Sequence, residues 1–141
     1  MFREVDMLST GEEVTEQGIY LKTLDNKTIE LTHNKKTTVV YFFAPWCQIC
    51  HISISNLQAI YEKNEQINVI AVALDYVDKK EVLEFSSQHQ LTFPIALGTE
   101  QIKTQFKIKG YPSYYVIDEE NTIIAKSMGY SSEIGLLLRT L

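Results

Sequence analysis

The chain of 141 residues contains two cysteines, Cys47 and Cys50, separated by two residues. A pair at this spacing can form and break a disulfide without moving the backbone. In such chemistry one thiolate attacks a substrate disulfide, and the second cysteine displaces it from the mixed disulfide that results. The spacing therefore indicates thiol–disulfide exchange, with Cys47 as the nucleophile and Cys50 as the resolving cysteine.

A strand and a helix are predicted on the two sides of this pair. The apolar run from Val39 to Phe43 predicts a buried central strand, and Pro45 ends it because proline cannot donate a ladder hydrogen bond. Past the first cysteine, apolar residues recur at roughly helical spacing: Ile49, Ile52, Ile54, Leu57, Ile60 and Tyr61. The cysteines thus fall at a helix N-terminus, where unpaired N–H groups favour the thiolate and lower a thiol pKa from about 8.5 to roughly 3.5–7.5.

A second motif runs from Gly110 to Asp118. The segment from Trp46 to Cys50 resembles the active site of the thioredoxin superfamily, and this second motif is similar to that family's cis-proline loop and following strand. Three further phrases resemble the TlpA/ResA branch of the superfamily: Leu24–Lys27, Leu91–Pro94 and Tyr115–Asp118. The resemblance implies a thioredoxin-like α/β fold, with a mixed central sheet, helices on both faces, an N-terminal strand pair and an inserted βα segment.

The resemblance also implies roles for residues around the cysteines. If the Tyr111–Pro112 bond is cis, as in the family, the backbone of Tyr111 is presented beside Cys47 as an edge to which an extended substrate could pair. Tyr111 would line the substrate groove, and Trp46 would cover the edge of the active site. We therefore expect Trp46, Tyr111 and Pro112 to bind substrate beside a redox-active Cys47–Cys50 disulfide.

Proteins of this branch are typically periplasmic or extracytoplasmic thiol–disulfide oxidoreductases, so the resemblance implies protein substrates with disulfides or thiols and a redox partner that recycles the cysteine pair. An exported protein of this kind would carry a leader or anchor that is absent from this chain. Gln48 and Ile49 lack the histidine of strongly oxidising motifs, which favours a reductase over an oxidase or isomerase. Tyr41 stands where thioredoxins carry a buried aspartate, and core packing is its expected role because a tyrosine is a poor base at neutral pH.

Other uses of a cysteine pair fit this sequence less well than thiol–disulfide exchange. The segment from Cys47 to His51 also spells the c-type haem attachment motif, with His51 as the axial ligand. A structural zinc site would need a second cysteine pair, which this chain does not have. A purely structural disulfide would close a loop too short to stabilise the fold much. Peroxiredoxin-type peroxidase activity is disfavoured because Ala44 occupies the place of the threonine in that family's motif. We expect no metal and no cofactor.

Length and charge narrow the remaining possibilities. The length suits one domain, divided here into a polar lead-in at residues 1–18 and a thioredoxin-like domain at residues 19–141. The net charge of −5 gives no basic footprint for nucleic acid. The longest strongly apolar run, Thr38 to Cys47, is too short to span a bilayer. We expect a monomer with no nucleic-acid partner.

The order of the predicted elements indicates how the strands of the sheet are connected. A strand, a helix and a strand around the cysteines predict a βαβ unit with two parallel strands. His51 is expected in the first helical turn, where its ring would have a modest electrostatic effect on the thiolate. His33 and His89 are expected at the surface. The predicted strands span Ile19–Leu24, Thr28–Leu31, Val39–Phe43, Ile67–Leu74, Tyr114–Ile117 and Thr122–Lys126; the predicted helices run from the cysteines to Asn64, from Lys79 to His89 with Val82, Leu83 and Phe85 inward, from Glu100 to Phe106 and from Ser132 to Thr140.

Overall fold

The computed structural model describes residues 18–32, 36–63 and 66–128. The strands are β1 Tyr20–Lys22, β2 Thr28–Glu30, β3 Thr37–Phe43, β4 Ile67–Ala73, β5 Ile95–Leu97, β6 Ser113–Ile117 and β7 Ile123–Met128, and the helices are α1 Gln48–Lys63, α2 Lys79–Gln88 and α3 Glu100–Gln105. All predicted elements within these residues are present, and each end lies within two residues of its predicted position. The predicted final helix and all but the last residue of the predicted lead-in lie outside the described residues.

Five strands form one mixed sheet in the order β5-β4-β3-β6-β7. Strand β3 pairs in parallel with β4, as the strand–helix–strand pattern predicts, and antiparallel with β6. Strands β1 and β2 form a separate antiparallel pair around a turn in which Asn26 adopts a φ of 68°. A single bridge between Thr23 and Ala96 connects this pair to the edge of the main sheet.

Hydrophobic side chains fill both faces of the sheet. Helices α1 and α2 pack on one face, where the rings of Phe43 and Phe85 stack with centroids 4.6 Å apart. Such aromatic pairs add about 0.5–1.5 kcal/mol beyond the burial of their area. Helix α3 packs on the opposite face through Ile102, beside Phe106. The predicted sheet with helices on both faces is therefore confirmed.

One predicted inward position is wrong, and two residues of the apolar face predicted for α1 are exposed. Leu83 is 44% exposed, while Val82 and Phe85, three residues apart on α2, are buried. Each helical residue turns by about 100°, so Leu83 lies to the side of the face that the other two share. Ile49 and Ile52 in α1 are also exposed, because that helix presents Cys50, Ile54 and its later apolar residues to the sheet instead. The apolar face of α1 is thus narrower than the sequence pattern predicts.

No helix among the described residues is long and apolar enough to cross a bilayer.

Candidate active site

Three loops converge at one edge of the main sheet. Phe43 at the end of β3 lies opposite Ala73 at the end of β4, so the loop with the cysteines and the loop that begins at Leu74 leave the sheet side by side. Strand β6 runs the other way, and its first residue, Ser113, lies opposite Phe42. The sheet register therefore brings the segment just before Ser113 to the same place as the cysteines.

Cys47 caps the N-terminus of α1. Its Sγ accepts a hydrogen bond from the backbone N–H of Cys50 at 3.2 Å, in the position where a side-chain oxygen caps many helices. Its own N–H donates to the carbonyl of Ala44 at 3.0 Å, which fixes the turn between β3 and the helix. An N–H donor and the positive helix terminus both stabilise a negative charge on this sulfur.

The two cysteines differ in access to solvent. Cys47 retains 7% exposure and Cys50 has none, and both are free thiols in this structure. Burial, together with a hydrogen bond to Cys47, raises the pKa of the Cys50 thiol well above its usual value. Cys50 therefore remains a neutral thiol at neutral pH, while Cys47 is the sulfur that a substrate can reach.

A pair of buried hydroxyls lies next to the cysteines in the core. Tyr41 Oη and Ser53 Oγ are 2.5 Å apart and both side chains are almost fully buried. Burial, with the nearby Cys50 adding to it, raises the pKa of Tyr41, so its hydroxyl stays protonated. Tyr41 packs in the core, as predicted, and its hydroxyl finds its partner one turn beyond Cys50.

Trp46 and Tyr111 lie together beside Cys47. Their rings meet edge to face with centroids 5.8 Å apart, and Trp46 is 61% exposed. The Tyr111–Pro112 peptide bond is cis, and Pro112 is buried directly before β6. The tertiary structure thus brings together all five residues that the sequence assigned to the site.

His51 and His89 form a hydrogen-bonded pair behind the cysteine loop. His51 Nε2 lies 2.8 Å from the carbonyl oxygen of Pro45, which can only accept, so this nitrogen donates. His51 Nδ1 lies 2.7 Å from His89 Nε2, so one of these two nitrogens donates a hydrogen bond to the other. Burial and the facing His51 lower the pKa of His89 below 6.5. His89 is half-buried, whereas the sequence placed it at the surface.

The arrangement of His51 disfavours haem attachment. Both of its ring nitrogens are hydrogen bonded, and the neighbouring Cys50 sulfur has no exposed surface with which to reach a porphyrin vinyl group. Across residues 18–32, 36–63 and 66–128, no three histidine, cysteine or acidic side chains are grouped closely enough to hold a metal ion.

Comparison with known proteins identifies the family. The model of the AhpC/TSA family matches residues 13–126 of this chain. The chain belongs to the AhpC/TSA family. Its sequence is 30% identical over 107 residues to the thioredoxin-like protein YneN of Bacillus subtilis, covering 73% of this chain and 63% of YneN. The thiol-disulfide oxidoreductase ResA of Bacillus cereus is 28% identical over 133 residues, covering 91% of this chain and 75% of ResA.

The fold of this family member is shared with a protein of solved structure. The crystal structure of StoA from Bacillus subtilis superposes with a TM-score of 0.80 at 20% identity, covering 91% of this chain and 99% of that chain. The predicted thioredoxin-like fold and the resemblance to the TlpA/ResA branch are therefore confirmed.

Three residues of the site were missed by sequence analysis. They are Ser53, Asp75 and His89, to which the sequence assigned no role at the cysteines. Asp75 accepts hydrogen bonds from Trp46 through its backbone oxygen and from Tyr111 through its carboxylate. Its position directly after a buried strand that parallels the cysteine strand was the available signal, since the ends of parallel neighbours meet at one edge of a sheet.

Proposed function

We propose that this chain is a thiol–disulfide oxidoreductase that reduces disulfides in protein substrates. The observation that carries the proposal is the asymmetry of the cysteine pair. Cys47 caps a helix N-terminus with its sulfur partly accessible, while Cys50 is buried, neutral and within one turn of it. This is the arrangement that an attacking and a resolving cysteine require.

The electrons and protons balance in two steps. The Cys47 thiolate attacks one sulfur of a substrate disulfide, forming a mixed disulfide and releasing a substrate thiolate that takes a proton from solvent. Cys50 then loses its proton and attacks the Cys47 sulfur, which releases the second substrate thiolate. The substrate gains two electrons and two protons, and the pair ends as the Cys47–Cys50 disulfide. A separate redox partner must reduce that disulfide before the next cycle.

The surface around Cys47 supports a protein as the substrate. The exposed apolar side chains of Trp46, Ile49 and Ile52 surround the start of α1, and exposed apolar clusters of this kind favour contact with another protein. We assign Trp46, Tyr111 and Pro112 to substrate binding because their loops border the accessible sulfur. Resemblance to the TlpA/ResA branch supports an extracytoplasmic location.

Two measurements test this function. In a Cys50→Ser variant, a substrate captured by Cys47 cannot be released, so mixed disulfides should accumulate on incubation with an oxidised protein such as insulin. Cys47→Ser is the matched control and should capture nothing. Equal capture by both variants, or none by either, contradicts the proposed roles of the cysteines.

The direction of electron flow follows from the reduction potential of the pair, measured by equilibration against dithiothreitol or glutathione. A value at or below about −250 mV supports a reductase. A value near −120 to −180 mV, the range of roughly DsbA to protein disulfide isomerase, would instead identify an oxidase or isomerase and overturn the proposed direction.

A further inference from the structure

We propose that Asp75 is a positioning residue that holds Trp46 and Tyr111 together as one fixed surface for the disulfide substrate. This inference rests on the proposed function and adds a residue that the exchange between the sulfurs does not itself use. We call Trp46 and Tyr111 the active-site rim. Asp75 acts on the rim from the loop after β4, and its effect should appear in substrate binding rather than in the chemistry of the sulfurs.

Asp75 contacts both residues of the rim through different atoms. The indole Nε1 of Trp46 donates to the backbone oxygen of Asp75 at 2.9 Å. The hydroxyl of Tyr111 donates to Oδ2 of the same residue at 2.5 Å. Because the two rings also touch each other edge to face, Trp46, Tyr111 and Asp75 form a closed triangle of contacts. A closed set of contacts restricts both rings more than any one contact could.

The backbone of Asp75 adopts a conformation that allows both contacts. Its φ of 51° lies in the left-handed region, which residues other than glycine seldom adopt. Aspartate tolerates that region better than most side chains do. The turn lets one residue offer its carbonyl to Trp46 while its carboxylate reaches Tyr111, although these partners lie 29 and 36 positions away in the sequence.

A lysine from another element balances the charge. Lys103 Nζ in α3 lies 2.7 Å from Oδ2 of Asp75, the oxygen that also accepts from Tyr111. Burial alone would raise the pKa of Asp75, but the hydrogen bonds from Lys103 and Tyr111 outweigh it and lower that pKa. Burial and the hydrogen bond to Asp75 raise the pKa of Tyr111. At neutral pH the carboxylate therefore accepts and the phenol donates, and this hydrogen bond persists.

The rim matters because a binding surface that is already ordered loses less conformational entropy when substrate binds. Trp46 is mostly exposed and precedes the nucleophile, and Tyr111 precedes the cis-proline. Without the Asp75 carboxylate, Tyr111 is free to leave the rim, and Trp46 loses the ring that it packs against. Substrate must then order both side chains itself, which weakens binding and leaves the exchange between sulfurs unchanged.

Steady-state reduction of insulin, recycled by dithiothreitol, tests the inference. We expect Asp75→Ala and Tyr111→Phe each to raise KM about tenfold, the size expected for losing one charge-assisted hydrogen bond, while kcat stays within about twofold. Combining the two substitutions should add little to either alone, because both remove the same hydrogen bond. Lys103→Met should raise KM by a smaller factor. Lys107→Met, which removes an exposed charge just past the end of α3, is the matched control and should leave KM unchanged.

The outcomes separate this inference from the proposed function. If the unsubstituted protein fails to reduce insulin and Cys50→Ser captures none, the proposed function is refuted and the role of Asp75 with it. If the unsubstituted protein is active but Asp75→Ala and Tyr111→Phe keep its KM, only the inference is overturned. If circular dichroism shows Asp75→Ala to be unfolded, Tyr111→Phe and Lys103→Met test the inference instead. The inference is supported if both variants have a raised KM and combining them raises KM little further. It is refuted if KM is unchanged or if the two effects are fully additive.

Discussion

The buried hydroxyl pair of Tyr41 and Ser53 should behave as one energetic unit. The two oxygens are 2.5 Å apart in the core beside Cys50, and neither side chain has appreciable exposure. Tyr41→Phe removes one hydroxyl and Ser53→Ala removes the other. Each single substitution leaves its partner buried without this hydrogen bond, whereas the double substitution removes both groups.

The expected magnitudes follow from this difference. Leaving a buried hydroxyl unpaired costs about 1–3 kcal/mol, so each single variant should lose that much free energy of unfolding. The double variant leaves neither hydroxyl behind and should lose about 1 kcal/mol or less. The sum of the two single losses should therefore exceed the loss in the double variant by a coupling energy of about 1–5 kcal/mol.

Urea denaturation followed by circular dichroism measures the coupling. With a slope of about 2 kcal/mol per molar urea, a loss of about 2 kcal/mol moves the midpoint by roughly 1 M. Tyr115→Phe combined with Tyr41→Phe is the matched control, since Tyr115 donates to the carbonyl of Phe106 on the opposite face of the sheet. That control pair should be additive. If the Tyr41 and Ser53 effects are additive as well, the hydroxyls do not act as a pair and the reasoning fails.

Three other predictions concern access, pH and packing. Iodoacetamide should label Cys47 in the native reduced protein and reach Cys50 only after unfolding, because Cys50 has no exposed surface; equal labelling in a peptide map would contradict this. The lowered pKa of His89 means that the unfolded chain binds more protons just below pH 6.5, so stability is lost as pH falls through this range. The urea midpoint should shift more between pH 7.5 and pH 5.5 in the unsubstituted protein than in His89→Asn. An equal shift in both proteins would refute this role of His89. Gly98→Ala should lower stability by about 1–3 kcal/mol in thermal melts, because a Cβ there would lie 2.7 Å from the last carbonyl oxygen of β4; an unchanged melting temperature would show that the strand end can move.

Much of the fold was predictable because it is encoded in local patterns. The apolar run of β3 with Pro45 after it predicted the strand and its end, and the helical spacing that follows predicted α1. The inward face of α2 was assigned less well, since Leu83 is exposed. Periodicity marks which residues share a side of a helix, but the width of the buried stripe depends on how the helix sits on its neighbours.

The sequence by itself identified the cysteine pair and its setting. Two cysteines one turn apart, at the point where a buried strand is followed by a helix, together with the family resemblance of the loop at Pro112, were sufficient to infer thiol–disulfide exchange. These motifs lie within short stretches of sequence, so they can be recognised without knowledge of the fold. Only the tertiary structure decided which residues support them. Asp75 meets Tyr111 across 36 positions, and His51 meets His89 across 38, because sheet register and helix packing bring distant segments to one edge. No pattern local to either partner carries that information.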